Sequence, residues 1–113
     1  MQVIFQSRHT DGEVLREESL QRVRFALRRI KTVVLRAQVM FTDINGPRGG
    51  VDKHCLLEVK TDKAGSVVIS SLASNWRSAL DQGLERMVRN LNRTIHRQQR
   101  KGRRQARPAM AVQ

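Results

Sequence analysis

Arginine dominates the side chains of this 113-residue chain that could do chemistry. Arg86, Arg89, Arg93, Arg97 and Arg100 recur every three or four residues, the spacing that lines side chains along one stripe of a helix. After Glu85 no acidic residue occurs, whereas nine basic ones do. Guanidinium groups stay charged and grip phosphate in a bidentate fork. An ordinary solvated helix face mixes signs, so this stripe points to a polyanion. Other chemistries lack a constellation. His54 and Cys55 are adjacent and would face opposite ways on a strand, while His9 and His96 lie in other segments. No Cys-x-x-Cys or His-Glu-x-x-His pattern occurs, so no metal site is expected. The single Cys55 excludes an internal disulfide and reads as a small buried hydrophobe. Ser70 and Ser71 have no evident base, and there is no Gly-x-Ser-x-Gly elbow. Glu17 and Glu18 fit a helix start, and Asp81 and Glu85 an exposed helical pair. No catalysis, cofactor or small-molecule substrate is expected.

The arginine stripe needs a long helix to hold it. Trp76, Ala79, Leu80, Gly83, Leu84, Met87, Leu91 and Ile95 fall on one side of such a helix, with the arginines opposite. Ser74 or Asn75 caps its start, and it runs to about Arg100. Upstream, the pattern predicts a strand over 1–8, a turn at His9-Thr10-Asp11-Gly12, and a helix over 13–31 with Leu20, Val23, Leu27 and Ile30 on one face. Glu13, Glu17 and Glu18 early, and Arg28, Arg29 and Lys31 late, suit that helix's dipole. Arg22 and Arg29 point away from its apolar face. Phe25 also points outward, which reads either as a wider buried face or as an exposed contact. A strand over 32–44 places Leu35, Ala37, Val39 and Phe41 on one face. A third strand over 54–61 alternates Cys55, Leu57 and Val59 with His54, Leu56, Glu58 and Lys60, and a fourth spans 66–72. The loop Gly46-Pro47-Arg48-Gly49-Gly50 lacks the Lys-Ser/Thr of a phosphate loop. It reads as a hairpin connection, with Arg48 or Lys53 on a phosphate as the alternative.

The order β-α-β-β-β-α implies parallel strands 1 and 2, then an antiparallel meander. The expected fold is an α+β two-layer sandwich, a four-stranded mixed sheet with two helices on one face. Residues 1–102 form one domain, and 103–113 a basic tail expected to be disordered until it meets a partner. Lys and Arg number 22 against 10 Asp and Glu, for a net charge of +12. That balance fits a nucleic-acid partner first and an anionic membrane surface second. No apolar run approaches the roughly 18 residues of a membrane span, and no signal-peptide pattern is visible. A soluble cytoplasmic protein, with no membrane partner and monomeric, is expected. With no Tyr, one Trp and three Phe, stacking on single-stranded bases is not expected. Contact with phosphate and ribose of folded RNA is. The expected RNA-binding set is Arg86, Arg89, Arg93, Arg97, Arg100 and Lys101, with Arg22, Arg28 and Arg29 as a second row.

These residues resemble the ribosome hibernation promoting factor family, which includes ribosome-associated inhibitor A. The resemblance rests on Asp43-Ile44-Asn45-Gly46-Pro47-Arg48-Gly49-Gly50-Val51-Asp52-Lys53-His54-Cys55-Leu56-Leu57-Glu58. It rests also on Ala79-Leu80-Asp81 followed by Arg86-Met87-Val88-Arg89-Asn90-Leu91. Asn75-Trp76-Arg77 stands where the family often has Asp-x-Tyr. The resemblance is to a short form without the family's C-terminal dimerisation domain. It implies a translation inhibitor active in stationary phase and stress. Such a factor binds rRNA of the small ribosomal subunit and occupies its mRNA–tRNA channel. The alternative is a general structured-RNA or double-stranded nucleic-acid module not directed to the ribosome.

Overall fold

The computed structural model describes residues 1–44, 51–63 and 65–112, with side chains up to Arg97. Its elements are β1 (Gln2–Ser7), α1 (Thr10–Glu13), α2 (Arg16–Ala26), β2 (Val34–Asp43), β3 (Lys53–Thr61), β4 (Ser66–Ala73) and α3 (Trp76–Val112). The strands form one sheet in the order β1-β2-β3-β4. β1 lies parallel to β2, and β2, β3 and β4 form an antiparallel meander. This is the expected mixed sheet. The β3–β4 turn closes on Gly65, whose φ of 78° suits a residue without Cβ. The Gly65 carbonyl oxygen accepts bonds from both the backbone N–H and the hydroxyl of Thr61.

One face of the sheet is buried. Phe5, Ala37, Val39, Phe41, Cys55, Leu57 and Val59 join Val23 and Leu27 from below α2, and Trp76, Ala79, Leu80, Leu84, Met87 and Leu91 from α3, in a single cluster. Fully burying each of the larger side chains is worth about 1.5–3 kcal/mol. The ladder expected on the long helix is therefore the half of the core that α3 supplies. Phe41 sits at its centre, stacked on Trp76 at 4.8 Å and edge-on to Phe5 at 5.1 Å. These are favourable ring geometries.

Leu35 departs from the expected strand face. It is 50% exposed, and Val34 is buried in its place. The pairing of β2 with β3 shifts register between Val34 and Arg36. An extra residue at a bulge reverses the in–out alternation beyond it.

The first helical segment also differs. The expected turn at 9–12 is helical from Thr10, as the short α1, and the expected continuous helix over 13–31 is only α2. A break at Val14 and Leu15 separates the two, and α2 ends with Leu27 at φ −100° and ψ 9°. The chain then descends through short turns, with Arg28 N–H bonding Phe25 O, Ile30 N–H bonding Leu27 O, and Val33 N–H bonding Ile30 O. The segment Ile30 to Val34, β-branched except for Lys31, resists helix and passes into β2. Leu27 and Ile30 still pack on the core, so their spacing looked helical although the backbone there is not. At the far end α3 is helical to Val112.

Candidate nucleic-acid interface

The arginines of α3 stand on its outer side because Trp76 to Leu91 anchor the inner one. Arg86, Arg89, Arg93 and Arg97 are all exposed. Asn75 starts the helix, its side-chain oxygen accepting the Ser78 N–H at 2.8 Å. This is the N-cap bond that satisfies one of the orphan donors of the first turn. Arg89 pairs with Glu85 one turn back at 2.8 Å. Arg86 reaches the other way, donating to the Ser70 carbonyl oxygen of β4 at 3.2 Å. Both contacts are solvent-exposed, so they steer the side chains without sequestering their charge. Arg100 and Lys101 lie outside the residues with described side chains.

The second row divides by environment. Arg22 is tied down: it bonds Asp81 of α3 and, at 3.3 Å, Glu18 of its own helix. The hydrogen bond to Asp81 raises its pKa further, against the opposing effect of burial. Glu18 also accepts Arg77 at 2.9 Å. These four side chains bolt α2 to α3 rather than project from them. Arg28 and Arg29 are exposed. They line a hollow of about 250 Å³ with Ala26, Ile30, Val88 and Asn92. Next to it Asn92, Arg93, His96 and Arg97 line another, of about 500 Å³. The structure thus brings Arg28 and Arg29 together with Arg93 and Arg97 along the α2–α3 seam. Arg86 lies toward β4, and Arg22 inside the helix contact. Asn92 and His96 belong to this surface and carried no sequence signal beyond their helical position.

Other chemistry-bearing residues are placed as follows. Burial pushes the Cys55 thiol up to about 12, offset in part by a hydrogen bond with Ser71, so it stays an unreactive thiol. Ser70, expected to lack a base, has one. His54 Nε2 lies 2.5 Å from its hydroxyl on the open sheet face. Among the described residues no carboxylate is bonded to the imidazole, so the pair lacks the third group that orients a catalytic histidine. No group of three His, Cys, Asp or Glu is placed to hold a metal ion among the described residues. Lys53 is turned inward, onto Asp43 at 2.7 Å and Asp52 at 3.4 Å. Arg48 lies outside the described residues. No helix among the described residues is long and apolar enough to cross a membrane.

The sheet order and the helix pair on one face make a fold that solved structures share. The N-terminal domain of Thermus thermophilus Protein Y superposes on 82% of this chain and 98% of its own, with a TM-score of 0.66 and 16% sequence identity. The chain has the Protein Y N-terminal fold. A ribosomal subunit interface protein from Coxiella burnetii shares it too, over 82% of this chain and 96% of its own, at a TM-score of 0.62 and 12% identity. No family model and no curated protein sequence matches the chain. One fold at such low identity is physically reasonable, since cores tolerate wide substitution when volume and patterning are kept.

Proposed function

We propose that this chain is a ribosome-binding factor that inhibits translation by filling the mRNA–tRNA channel of the small subunit, held there by arginine contacts to rRNA phosphates. The observation that carries the reading is the exposed arginine row on the outer side of α3, with no acidic residue after Glu85, continued across the helix seam by Arg28 and Arg29. A likeness in fold to a ribosomal subunit interface protein supports the choice of ribosomal over other RNA. The mechanism is steric. A rigid domain whose sheet and helices are locked by one core occupies space that mRNA and tRNA require, and no bond is made or broken. Arg86, Arg89, Arg93 and Arg97, with Arg100 and Lys101 beyond them, are the proposed phosphate contacts. Arg22 supports them by fixing α2 against α3. Residues 1–102 are the binding domain in this proposal and 103–113 a basic extension of it.

The Arg86→Glu, Arg89→Glu, Arg93→Glu triple variant is expected to lose co-sedimentation with small subunits in a sucrose gradient. Its circular dichroism and unfolding midpoint should stay near those of the wild type, because all three side chains are exposed. Persistent sedimentation with small subunits at moderate salt would sink the assignment of this row. Comparing affinity for small subunits with affinity for naked RNA duplex separates a ribosome-directed factor from a general structured-RNA module.

A further inference from the structure

Phe25 departs from the behaviour of the other aromatic side chains. Phe5, Phe41 and Trp76 stack inside the core, whereas Phe25 stands 66% exposed at the end of α2. Its ring is nevertheless held. The Arg28 guanidinium carbon lies 4.0 Å from the ring centroid, and Arg28 Nη1 donates to the Phe25 carbonyl oxygen at 2.7 Å. One face of the ring is thus covered by a cation fastened to the local backbone, a favourable cation–π arrangement.

The ring lies on the wall of a hollow of about 730 Å³, together with Gln21, Arg24, Ala26 and Leu84. Ala26 is shared with the hollow of Arg28 and Arg29, and Asn92 links that one to the hollow of Arg93 and Arg97. The three follow one another along the α2–α3 seam as a trough. Its first part holds Glu18 and Asp81 beside Arg22 and Arg24, and the rest holds basic groups without an acidic one. A flat apolar ring among cations, at the head of a trough lined by guanidinium groups, matches a nucleotide. The base meets the ring, and the phosphates meet Arg28, Arg29, Arg93 and Arg97. An acidic peptide would leave the ring unused, and an apolar peptide would strand the arginines.

We infer that Phe25 is a stacking platform for one unpaired base of RNA whose backbone continues along the trough toward Arg93 and Arg97. The inference rests on the RNA-binding reading above and adds an unpaired segment to it. Bases inside a duplex already stack on their neighbours, so only an unpaired nucleotide can reach the ring. Such stacking is tolerant of base identity because every base offers a π-face.

The test measures the full-length chain and its Phe25→Leu and Phe25→Trp variants against an RNA hairpin with an unpaired loop and a fully paired duplex of equal phosphate number. Phe25→Leu should weaken hairpin binding by about 5- to 150-fold, the range that truncating a stacked aromatic produces. It should leave duplex binding and the hairpin's salt slope unchanged. Phe25→Trp should retain affinity, with its indole fluorescence quenched by the hairpin in a Trp76→Phe background. The exposed position makes an unchanged unfolding midpoint the check that Phe25→Leu folds. If Phe25→Leu binds the hairpin as the wild type does while the triple arginine variant does not, stacking is overturned and RNA binding stands. If the wild type binds neither RNA, stacking is overturned, and the ribosome-binding reading is decided separately by the small-subunit sedimentation above. If Phe25→Leu loses small subunits but not the hairpin, the ring meets a protein surface, and stacking is again overturned.

Discussion

Asp52 is a buried carboxylate immediately before the start of β3. Its side chain is 0% exposed, and its two oxygens have no hydrogen bond. The nearest countercharge is Lys53 Nζ, at 3.4 Å an ion pair without hydrogen-bond geometry. The same ammonium group bonds Asp43 at 2.7 Å and lies 5.5 Å from the Trp76 ring centroid. Trp76 donates its indole N–H to Asp11. Removing one partner of a buried pair strands the other, which is costlier than never having made the pair. Lys53→Met is therefore expected to lower the urea midpoint more than Asp52→Asn does, with an unchanged m-value, as equilibrium denaturation would read. Equal midpoints for Lys53→Met and wild type would remove the clamp from the account. The hydrogen bond to Asp43 raises the Lys53 pKa above its ordinary 10.5, with burial opposing it and Asp52 adding to it. A raised cationic pKa contributes stability that is complete below the unfolded-state value. That stability is lost as the pH climbs through the higher folded-state value. As the pH rises, the clamp should therefore hold until strongly alkaline solution. The sequence alone places Lys53 beside a hairpin connection, with a phosphate contact as the alternative. Asp52 is its neighbour in the chain, while Asp43 comes from the end of β2 across the hairpin, an approach that is a product of the fold.

At the scale of elements, α3 sits closer to the sheet than a helix with a full row of side chains could. A Cβ on Gly83 would lie 2.8 Å from Leu57 Cδ1 and 3.1 Å from the Ser71 hydroxyl. That hydroxyl donates to the Ala79 carbonyl oxygen at 2.5 Å, which draws β4 and α3 together at the same level. Gly83→Ala gains about 0.8–1.0 kcal/mol of helix propensity but overfills a packed contact, which costs about 1–3 kcal/mol. The expected result is a net loss of stability, and a gain in the guanidinium midpoint would show that Leu57 yields freely. The apolar ladder of α3 was legible because a 3.6-residue period persists over five turns. The reason for a glycine within that ladder was not, since it depends on Leu57 and Ser71 arriving from the sheet. The end of α2 at Ala26 was equally hidden. Leu27 and Ile30 keep a helical spacing while serving the core from turns, and periodicity alone does not distinguish the two cases.

The whole molecule carries a net charge of +12 on a fold shared with Protein Y. If Arg28, Arg29, Arg86, Arg89, Arg93 and Arg97 each neutralise one phosphate, the logarithm of affinity should fall with the logarithm of salt at a slope of about −4 to −5. Each Arg→Ala among them should reduce that slope by about 0.7–0.9, measured by binding titrations at several salt concentrations. A slope near zero would mean that the charge serves something other than a polyanion. The strand order, the long C-terminal helix, the parallel first pair, the inward face of β3 and the arginine stripe were all determined by the sequence alone. The parallel pair follows from element order and crossover handedness, and the others rest on local periodicity or charge, which neighbouring residues specify between themselves. The tertiary structure decided which charges remain outward. It folded Arg22 into an ion-paired bolt between α2 and α3 and turned Lys53 in on two aspartates. It also left Phe25 standing at the head of a basic trough. The Arg22–Asp81 bond joins residues 59 apart in the chain, and the Lys53–Asp43 bond residues 10 apart across a hairpin, pairings that local periodicity does not encode.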